Sequence, residues 1–337
     1  MNSIELRSDT FTKPTKEMLD FMFSANVGDD VWDEDQTVKA LENKIAKMFG
    51  MEAALFCPSG TMANQIAIKV HTQPGDEVVC DYSSHIYQYE GGGIAFNSSA
   101  SVNLLKGTNG KISVALVKDS LKEENIHFPR TSLVSVENTT NKGGGACYKL
   151  KDLQDLAVFC SSQNLAFHMD GARLFNAIVK TNTQPKDYGG IFDSISVCIS
   201  KGLGAPIGSL LLGTTKFIHQ AKRIRKVLGG GMRQVGYLAA ACDYALEHHI
   251  DLLKEDHRRA HEIETVLKDR PYVTSVIPVE TNIIIFSMDQ PLKLVEYLKT
   301  QHILCSAISS NQIRFVTHFQ FNDVMLKTLK KALLNYS

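Results

Sequence analysis

Residues 194–208 read SISVCISKGLGAPIG, and this stretch decides how the rest of the chain is interpreted. An apolar, β-prone run ends at a single lysine, Lys201, and Gly-Leu-Gly follows at once. A lysine at the end of a strand is most simply a surface residue whose stem covers apolar area. The polar residues that close the neighbouring strands therefore have to show whether Lys201 has a chemical role.

On both sides of this stretch, short β-rich runs alternate with helical patterns between about residues 50 and 215. In chain order they are AALFC, GTMANQIAIKVHT, DEVVCD, TSLVSVE, LKDLQDLAVFCSSQN, LAFHMD, ISVCIS and SLLLG. This alternation is the βαβ signature of a mainly parallel sheet with helices on both faces. The sequence therefore predicts an α/β fold.

A long helical stretch from about 231 to 268 leads away from this core. Two strand-like runs, NIIIFSM and IRFVTH, follow it, with amphipathic helical patterns near 291–301 and 322–335. A chain of 337 residues is longer than one ordinary compact core requires. We expect a large domain over residues 1–245 and a small C-terminal α+β domain over residues 246–337.

Charge and cysteine content exclude several classes of protein. Basic and acidic residues number 36 each, so no net positive field favours nucleic acid or an anionic membrane. The seven cysteines lack CxxC spacing, and most lie in apolar runs, which indicates reduced core thiols in the cytoplasm. The N-terminus lacks a signal-peptide pattern, and no apolar run is long enough to cross a bilayer. We expect a cytoplasmic protein with a small-molecule partner.

Three polar elements are expected at the carboxyl ends of the strands, where open α/β sheets bind ligands. Asp170 closes the strand of LAFHMDGARLF, and Lys201 closes another strand one βα unit later. In FCPSGTMANQ, a turn of Ser59, Gly60 and Thr61 opens onto a helix, whose free N–H groups suit a phosphate. Each element is weak evidence by itself, because turns of this kind are common.

Together, the three elements meet the requirements of pyridoxal 5′-phosphate. Its aldehyde forms a Schiff base with a lysine amine, its pyridine nitrogen needs an acidic partner, and its phosphate suits a helix N-terminus. Lys201, Asp170 and the turn at 59–61 supply these groups in turn. The sequence therefore predicts this cofactor.

A competing pattern is HRRAH, which places His257 and His261 four residues apart on a predicted helix. The glutamate of HExxH is absent and no third ligand is evident, so we expect a helix surface and no metal site.

Motifs spread over nearly the whole chain carry a family resemblance. They are LRSDTFTKPT, VGDDVWDED, EAALFCPSGTMANQ, GDEVVCDYSSHIYQYEGG, NIHFPRTSLVSVENTTN, HMDGARLFNA, SKGLGAPIGS, KVLGGGMRQVG, LKEDH and IRFVTH. The chain resembles the threonine aldolases, pyridoxal-phosphate enzymes with the aspartate aminotransferase fold, called fold type I. The resemblance implies a mainly parallel seven-stranded sheet flanked by helices, and cleavage of threonine or allo-threonine to glycine and acetaldehyde.

The resemblance also assigns catalytic roles. Lys201 and Asp170 match the family's cofactor-bearing lysine and its acidic partner. His85 is implied to stack on the cofactor ring and His127 to lie near the substrate's β-hydroxyl, so either is a candidate base. Each histidine alone is more simply an ordinary half-buried or loop residue.

Further residues are implied to bind the substrate and the cofactor. Ser8, Arg173 and Arg314 match residues that hold the substrate carboxylate, for which a planar guanidinium is suited, and Arg173 is also expected at the cofactor. Tyr89 is implied to border the substrate. Ser8 implies that the N-terminal segment contributes to the site. Arg233 is implied to reach a cofactor phosphate across a subunit boundary, so a second subunit of a homodimer or tetramer contributes as well.

Two positions depart from the family pattern, and two alternatives stay open. Asp33 replaces a glycine and is expected to affect a turn, and Thr140 replaces a histidine and is expected to affect the support of site residues. β-Elimination or transamination would use the same lysine and aspartate, although the pair of histidines argues against transamination. A catalytically idle relative is the other alternative, against which intact Lys201 and Asp170 argue. The preference between threonine and allo-threonine is open as well.

Overall fold

The computed structural model describes residues 3–336. The strands are β1 Ile4–Glu5, β2 Ala53–Cys57, β3 Glu77–Asp81, β4 Ser101–Leu105, β5 Thr131–Glu137, β6 Ala166–Gly171, β7 Ser194–Cys198, β8 Ser209–Gly213, β9 Ser275–Val276, β10 Ile283–Ser287, β11 Ile303–Leu304, β12 Ser306–Ala307 and β13 Gln312–Val316. The α-helices are α1 Lys16–Phe23, α2 Gln36–Phe49, α3 Gly60–His71, α4 His85–Gln88, α5 Gly93–Ser98, α6 Val114–Ser120, α7 Leu150–Ser162, α8 Leu174–Thr181, α9 Pro185–Gly189, α10 Thr215–Val227, α11 Gly236–His248, α12 Leu253–Lys268, α13 Pro291–Thr300 and α14 Asp323–Asn335.

A seven-stranded sheet forms the centre of the molecule, in the order β2-β8-β7-β6-β5-β3-β4. Strand β8 runs opposite to the other six strands. Strands β3, β7 and β8 are buried along their whole length, because helices cover both faces of the sheet. The predicted α/β fold and the mainly parallel seven-stranded sheet are confirmed.

Helix α2 shows how the sequence produces these elements. Asp35 accepts hydrogen bonds from two first-turn N–H groups, and Gly50 ends the helix with a positive φ of 65°. The apolar residues Val38, Leu41 and Ile45 recur at helical spacing and are buried in the main core. Polar residues occupy the opposite face, so burial of one stripe fixes how the helix packs against the sheet.

A second, antiparallel sheet follows in the C-terminal part, in the order β12-β13-β10-β9. The predicted helical stretch at 231–268 is two α-helices, which a short 3₁₀ turn at Ile250–Leu252 separates. The N-terminal strand β1 pairs in parallel with β11, so the first residues pack on the C-terminal part of the chain. The boundary between residues 245 and 246 lies within α11 and stays a prediction. No helix of the described chain has the length and apolar character required to span a bilayer.

The position of Asp33 requires an unusual backbone conformation. Asp33 has φ 59° and ψ 33°, which is the left-handed region that glycine adopts most readily. Aspartate tolerates this region better than most residues, and its carboxylate pairs with Lys222. The turn expected at the family's glycine is therefore retained here with an aspartate.

Asp256 is a buried carboxyl group whose two oxygens have no hydrogen-bond partner among the described residues. Burial raises the pKa of Asp256 to about 8. The folded chain therefore keeps a proton that the unfolded chain loses above pH ~4, so the free energy of unfolding falls as pH rises from about 4 to 8.

One such group lowers the free energy of unfolding by up to ~1.4 kcal/mol per pH unit. Replacing Asp256 with asparagine is therefore expected to make the free energy of unfolding depend less steeply on pH. Urea denaturation at pH 5 and pH 8 measures the difference. Asp269→Asn, at an exposed position just after α12, is the control. Equal pH slopes in the wild type and Asp256→Asn would show that Asp256 is ionised in the folded chain.

Candidate functional site

A chamber of about 420 Å³ lies at the carboxyl end of the large sheet. The loops after β6 and β7 line it together with the N-terminal segment and β13. Its lining residues are Ser8, Thr10, His85, Tyr89, Asn141, Lys142, Arg173, Lys201, Ile308 and Arg314. A larger groove of about 670 Å³ lies elsewhere, beside residues 121–132, and none of the predicted site residues lines it. The chemistry of the side chains therefore identifies the smaller chamber as the candidate active site.

Lys201 lies on the loop that follows β7 and is partly buried. Its carbonyl oxygen accepts hydrogen bonds from the Thr12 hydroxyl and the Gly204 N–H, each at 2.8 Å, which hold the loop in place. Its Nζ lies 3.8 Å from Cys198 Sγ, and no described acidic side chain lies within ion-pair distance of it. The amine is therefore free to react with a ligand in the chamber.

Asp170 is the last residue but one of β6, and the register pairs it with Ser196 of the neighbouring strand β7. Adjacent parallel strands end at the same edge, so Asp170 and the loop that carries Lys201 lie at one edge of the sheet. The buried Asn64 side chain donates to Asp170 Oδ2 at 2.9 Å, while its own Oδ1 accepts from Ser196 Oγ at 2.6 Å. This network sets the orientation of the carboxylate.

His85 begins α4 and faces the chamber beside Tyr89, with 5.7 Å between the ring centroids. Its Nδ1 lies 2.9 Å from the buried carboxylate of Glu90. Burial lowers the pKa of His85, but the hydrogen bond to Glu90 and the nearby Asp170 carboxylate outweigh it, and the net shift is upward. The pairing of Nδ1 leaves Nε2 as the ring nitrogen that can exchange a proton with a ligand.

Glu137 ends β5 beside Asp170 in the sheet register. Its carboxylate accepts from the backbone N–H groups of His85 at 3.2 Å and Asn141 at 2.9 Å. Burial and the neighbouring Asp170 carboxylate raise the pKa of Glu137 to about 7. Glu137 therefore connects the loop of His85 to the loop that enters the chamber at Asn141.

The turn at 59–61 begins helix α3, as predicted. Ser59 Oγ caps the helix by accepting from the Met62 N–H at 3.1 Å. The N–H groups of Gly60 and Thr61 precede the intrahelical ladder, so they are available to an anion. A Cβ at Gly60 would lie 2.4 Å from Cys198 Sγ, so only glycine lets the helix start pack this closely against the end of β7.

Arg314 lies on β13 and directs a mostly buried guanidinium into the chamber. It donates to Asn141 Oδ1 at 2.7 Å and to the Arg7 carbonyl at 3.1 Å. No described carboxylate pairs with it, and burial lowers its pKa. A buried cation without a counter-ion is costly, so the site is suited to an anionic ligand.

Arg173 is buried and makes a bidentate ion pair with Asp9 through Nε at 2.8 Å and Nη2 at 2.7 Å. Burial would raise the pKa of Asp9, but Arg173 and Lys201 hold it at about 2. This pair uses one of the two N–H groups of Nη2, so the other one and both N–H groups of Nη1 remain for a ligand. Arg173 can therefore still offer two parallel N–H groups to a substrate carboxylate, and this role stays a prediction.

Six predicted site residues do not line the chamber of a single chain: Asp170, Ser59, Gly60, Thr61, His127 and Arg233. The last two are exposed. His127 is on the exposed loop before β5, where its N–H bonds to the Asn125 side chain. Arg233 is 59% exposed at its side chain and pairs with Asp29 at 2.9 Å. Their roles stay predictions, and that of Arg233 involves a second copy of the chain.

The two histidines of HRRAH do not face a common point. His257 Nε2 bonds to the Asn176 side chain at 2.9 Å, and His261 Nδ1 bonds to the His257 carbonyl at 2.7 Å. Each ring has a protein partner. His257 is buried, so the helix surface expected for this pair is wrong for His257.

Thr140 supports a turn that carries chamber residues. Its N–H bonds to the Ala146 carbonyl at 3.0 Å, and its carbonyl accepts from the Gly145 N–H at 2.8 Å. Cβ atoms added at Gly110 or Gly143 would meet its side chain. The departure at Thr140 therefore affects the turn from which Asn141 and Lys142 extend.

Sequence reasoning missed four buried residues of the site: Asp9, Asn64, Glu90 and Glu137. Glu137 could have been found, because it closes a predicted strand in the same way as Asp170. Asp9 and Asn64 have their contacts 164 and 106 residues away in the chain, for which no local pattern provides a signal. Glu90 lies only five residues from His85, its partner.

The α/β fold, with a free lysine amine and a fixed carboxylate at the carboxyl edge of its sheet, is typical of an enzyme. The chain belongs to the family described as beta-eliminating lyase, which matches residues 5–291.

Curated relatives extend this result over nearly the whole chain. The low specificity L-threonine aldolase of Escherichia coli K12 is 40% identical over 326 residues, 96% of each chain. Low-specificity L-threonine aldolase 1 of Arabidopsis thaliana is 38% identical and covers 95% of this chain and 92% of that protein. The solved threonine aldolase of Leishmania major has a TM-score of 0.86 at 19% identity and covers 98% of both chains, which shows a shared fold. The resemblance to threonine aldolases is confirmed.

Proposed function

We propose that the chain is a pyridoxal-phosphate-dependent aldehyde-lyase that cleaves L-threonine and L-allo-threonine to glycine and acetaldehyde. The observation that carries this proposal is the pairing, in one chamber, of the free Lys201 amine with the unpaired guanidinium of Arg314. An amino acid requires both an amine-reactive centre and a site for its carboxylate. The curated relatives, which are named as threonine aldolases, support the choice of reaction within the family.

The residues fit the cofactor on three counts. The Lys201 amine has no acidic partner among the described residues, Asp170 is a buried carboxylate fixed by Asn64, and the start of α3 offers free N–H groups. When bound, the cofactor accepts the electron pair that breaking the Cα–Cβ bond releases.

Each residue has a defined task in the proposed reaction. Lys201 Nζ would hold the cofactor, and the Asp170 carboxylate would stabilise a proton at its pyridine nitrogen. Arg314 orients the substrate carboxylate together with Arg173 Nη1 and the Ser8 hydroxyl. This orientation determines that the Cα–Cβ bond is the one aligned for cleavage. His85 Nε2 takes the proton of the β-hydroxyl, and its raised pKa makes the ring a stronger acceptor.

A second copy of the chain is proposed to complete the site with Arg233, and with His127 as a further candidate base. Large apolar side chains that are exposed in the single chain support such an assembly, notably Ile126, 97% exposed, and Phe96, 87% exposed. We propose a homodimer or a tetramer of two dimers. The seven cysteines are all free and buried, which fits the cytoplasm expected from the sequence.

The test is release of acetaldehyde and glycine from L-threonine and L-allo-threonine by the purified, cofactor-loaded protein. Equimolar products are expected, and the ratio of the two rates gives the stereochemical preference. Ammonia and an α-oxo acid in place of glycine would assign the chain to β-elimination, and a new amino acid formed from an added oxo acid would assign it to transamination.

Replacing Arg314 with glutamine is expected to reduce kcat/KM for threonine by about 100-fold, mainly through KM, because charge-assisted bonds to the carboxylate are lost. Arg223→Gln, at an exposed arginine of α10, is the control. Steady-state kinetics of the three proteins provide the comparison. An unchanged KM would place the substrate carboxylate elsewhere.

A further inference from the structure

Lys142 is a cation that lines the chamber, and the proposed cleavage of threonine assigns it no role. It follows Asn141 on the turn that Thr140 supports, and it lines the chamber. Its Nζ lies 5.5 Å from the centroid of the Tyr89 ring, and no described carboxylate lies within ion-pair distance. A lysine held at an aromatic face, with no acidic partner, has its charge available to a ligand.

The position of Lys142 relative to the other groups indicates which part of a substrate it would meet. Tyr89 neighbours both His85 and Lys142, since its ring centroid is 5.7 Å from the His85 ring and 5.5 Å from Lys142 Nζ. His85 is the proposed acceptor of the β-hydroxyl proton. The substituent on Cβ beyond the hydroxyl would therefore point toward Tyr89 and Lys142, while Arg314 holds the α-carboxylate.

The methyl group of threonine leaves this cation unpaired, whereas a carboxylate at the same place would pair with it. Arg314 and Arg173 already provide donors for one carboxylate, so the further cation of Lys142 matches a second anionic group. The acidic residues of the site do not compete for Lys142: Glu90 bonds to His85, and Asp170 bonds to Asn64.

We propose that the chamber also accepts β-hydroxy-α-amino acids whose β-substituent is a carboxylate, with 3-hydroxyaspartate as the simplest member, and that Lys142 selects them. This inference rests on the proposed function, because the same bond is broken. The Cα–Cβ bond breaks, its electron pair stays on Cα, and Cα takes up a proton to give glycine. The hydroxyl loses its proton and becomes the aldehyde oxygen of glyoxylate. No oxidant or reductant is required.

The experiment compares the cofactor-loaded wild type with Lys142→Gln and Lys142→Arg. Glycine release is measured from threo- and erythro-3-hydroxyaspartate and from L-threonine, with glyoxylate and acetaldehyde quantified in the same samples. Lys142→Gln is expected to lower the ratio of kcat/KM for 3-hydroxyaspartate to that for threonine by at least tenfold. Lys142→Arg keeps the charge and is expected to show a ratio close to that of the wild type. Lys149→Gln, at an exposed lysine of the following segment, is the control.

The outcomes separate the two proposals. If neither substrate yields glycine, the proposed function fails. If threonine is cleaved and 3-hydroxyaspartate is not, or if Lys142→Gln leaves the ratio of the two specificities unchanged, the inference about Lys142 is overturned. Glyoxylate formation that depends on the charge at position 142 supports it.

Discussion

Replacing Lys201 with alanine is expected to lower threonine turnover by at least about 1,000-fold, because a reactive amine that acts as a unit with its cofactor cannot be replaced by neighbouring groups. Within the described chamber, Lys142 is the only other lysine, and it lies on a different loop beside Tyr89. Acetaldehyde release under saturating cofactor measures the loss. The near-ultraviolet and visible absorbance of the dialysed protein reports separately whether the cofactor stays covalently attached.

Lys180→Ala is the matched control, because Lys180 is an exposed lysine of α8 outside the chamber. Circular dichroism of both variants distinguishes loss of the amine from loss of the fold. Turnover by Lys201→Ala at the wild-type rate would remove Lys201 from the mechanism and, with it, the explanation of the 194–208 stretch.

Replacing Asp170 with asparagine is expected to reduce kcat by about 100- to 1,000-fold, the range found when one preorganised electrostatic group is removed from an active site. The shape of the side chain is conserved, and its amide oxygen can still accept from Asn64, so the fold should persist. The negative charge that stabilises a protonated pyridine nitrogen is lost. Because Arg314 and Arg173 still hold the carboxylate, the loss should appear in kcat more than in KM.

Asp119→Asn, at an exposed position of α6, is the control for this variant. The pH dependence of kcat adds a second measurement, because a neutral residue at position 170 also removes a carboxylate that helps to raise the pKa of His85. The acidic limb of the profile is expected to move to lower pH. A wild-type kcat in Asp170→Asn would show that the pyridine nitrogen has another partner.

The sequence alone determined the α/β fold, since strand and helix periodicities alternate and each apolar run is long enough to be buried between helices. It also located Asp170, Lys201 and the turn at 59–61, because parallel strands end at one edge and connections between them are local. The resemblance to threonine aldolases provided the remaining roles, including that of Arg314, whose strand position by itself carries no signal.

Only the tertiary structure determines which charged groups pair with one another. It pairs Asp9 with Arg173, 164 residues away in the chain, and it pairs the Glu90 carboxylate with the His85 ring. It leaves Arg314 and Lys142 without acidic partners in the described chain. It also leaves His127 and Arg233 outside the chamber of one chain. The physical reason is that periodicity in sequence encodes which face of an element is buried, whereas the neutralisation of a buried charge depends on side chains that only folding brings within a few ångströms.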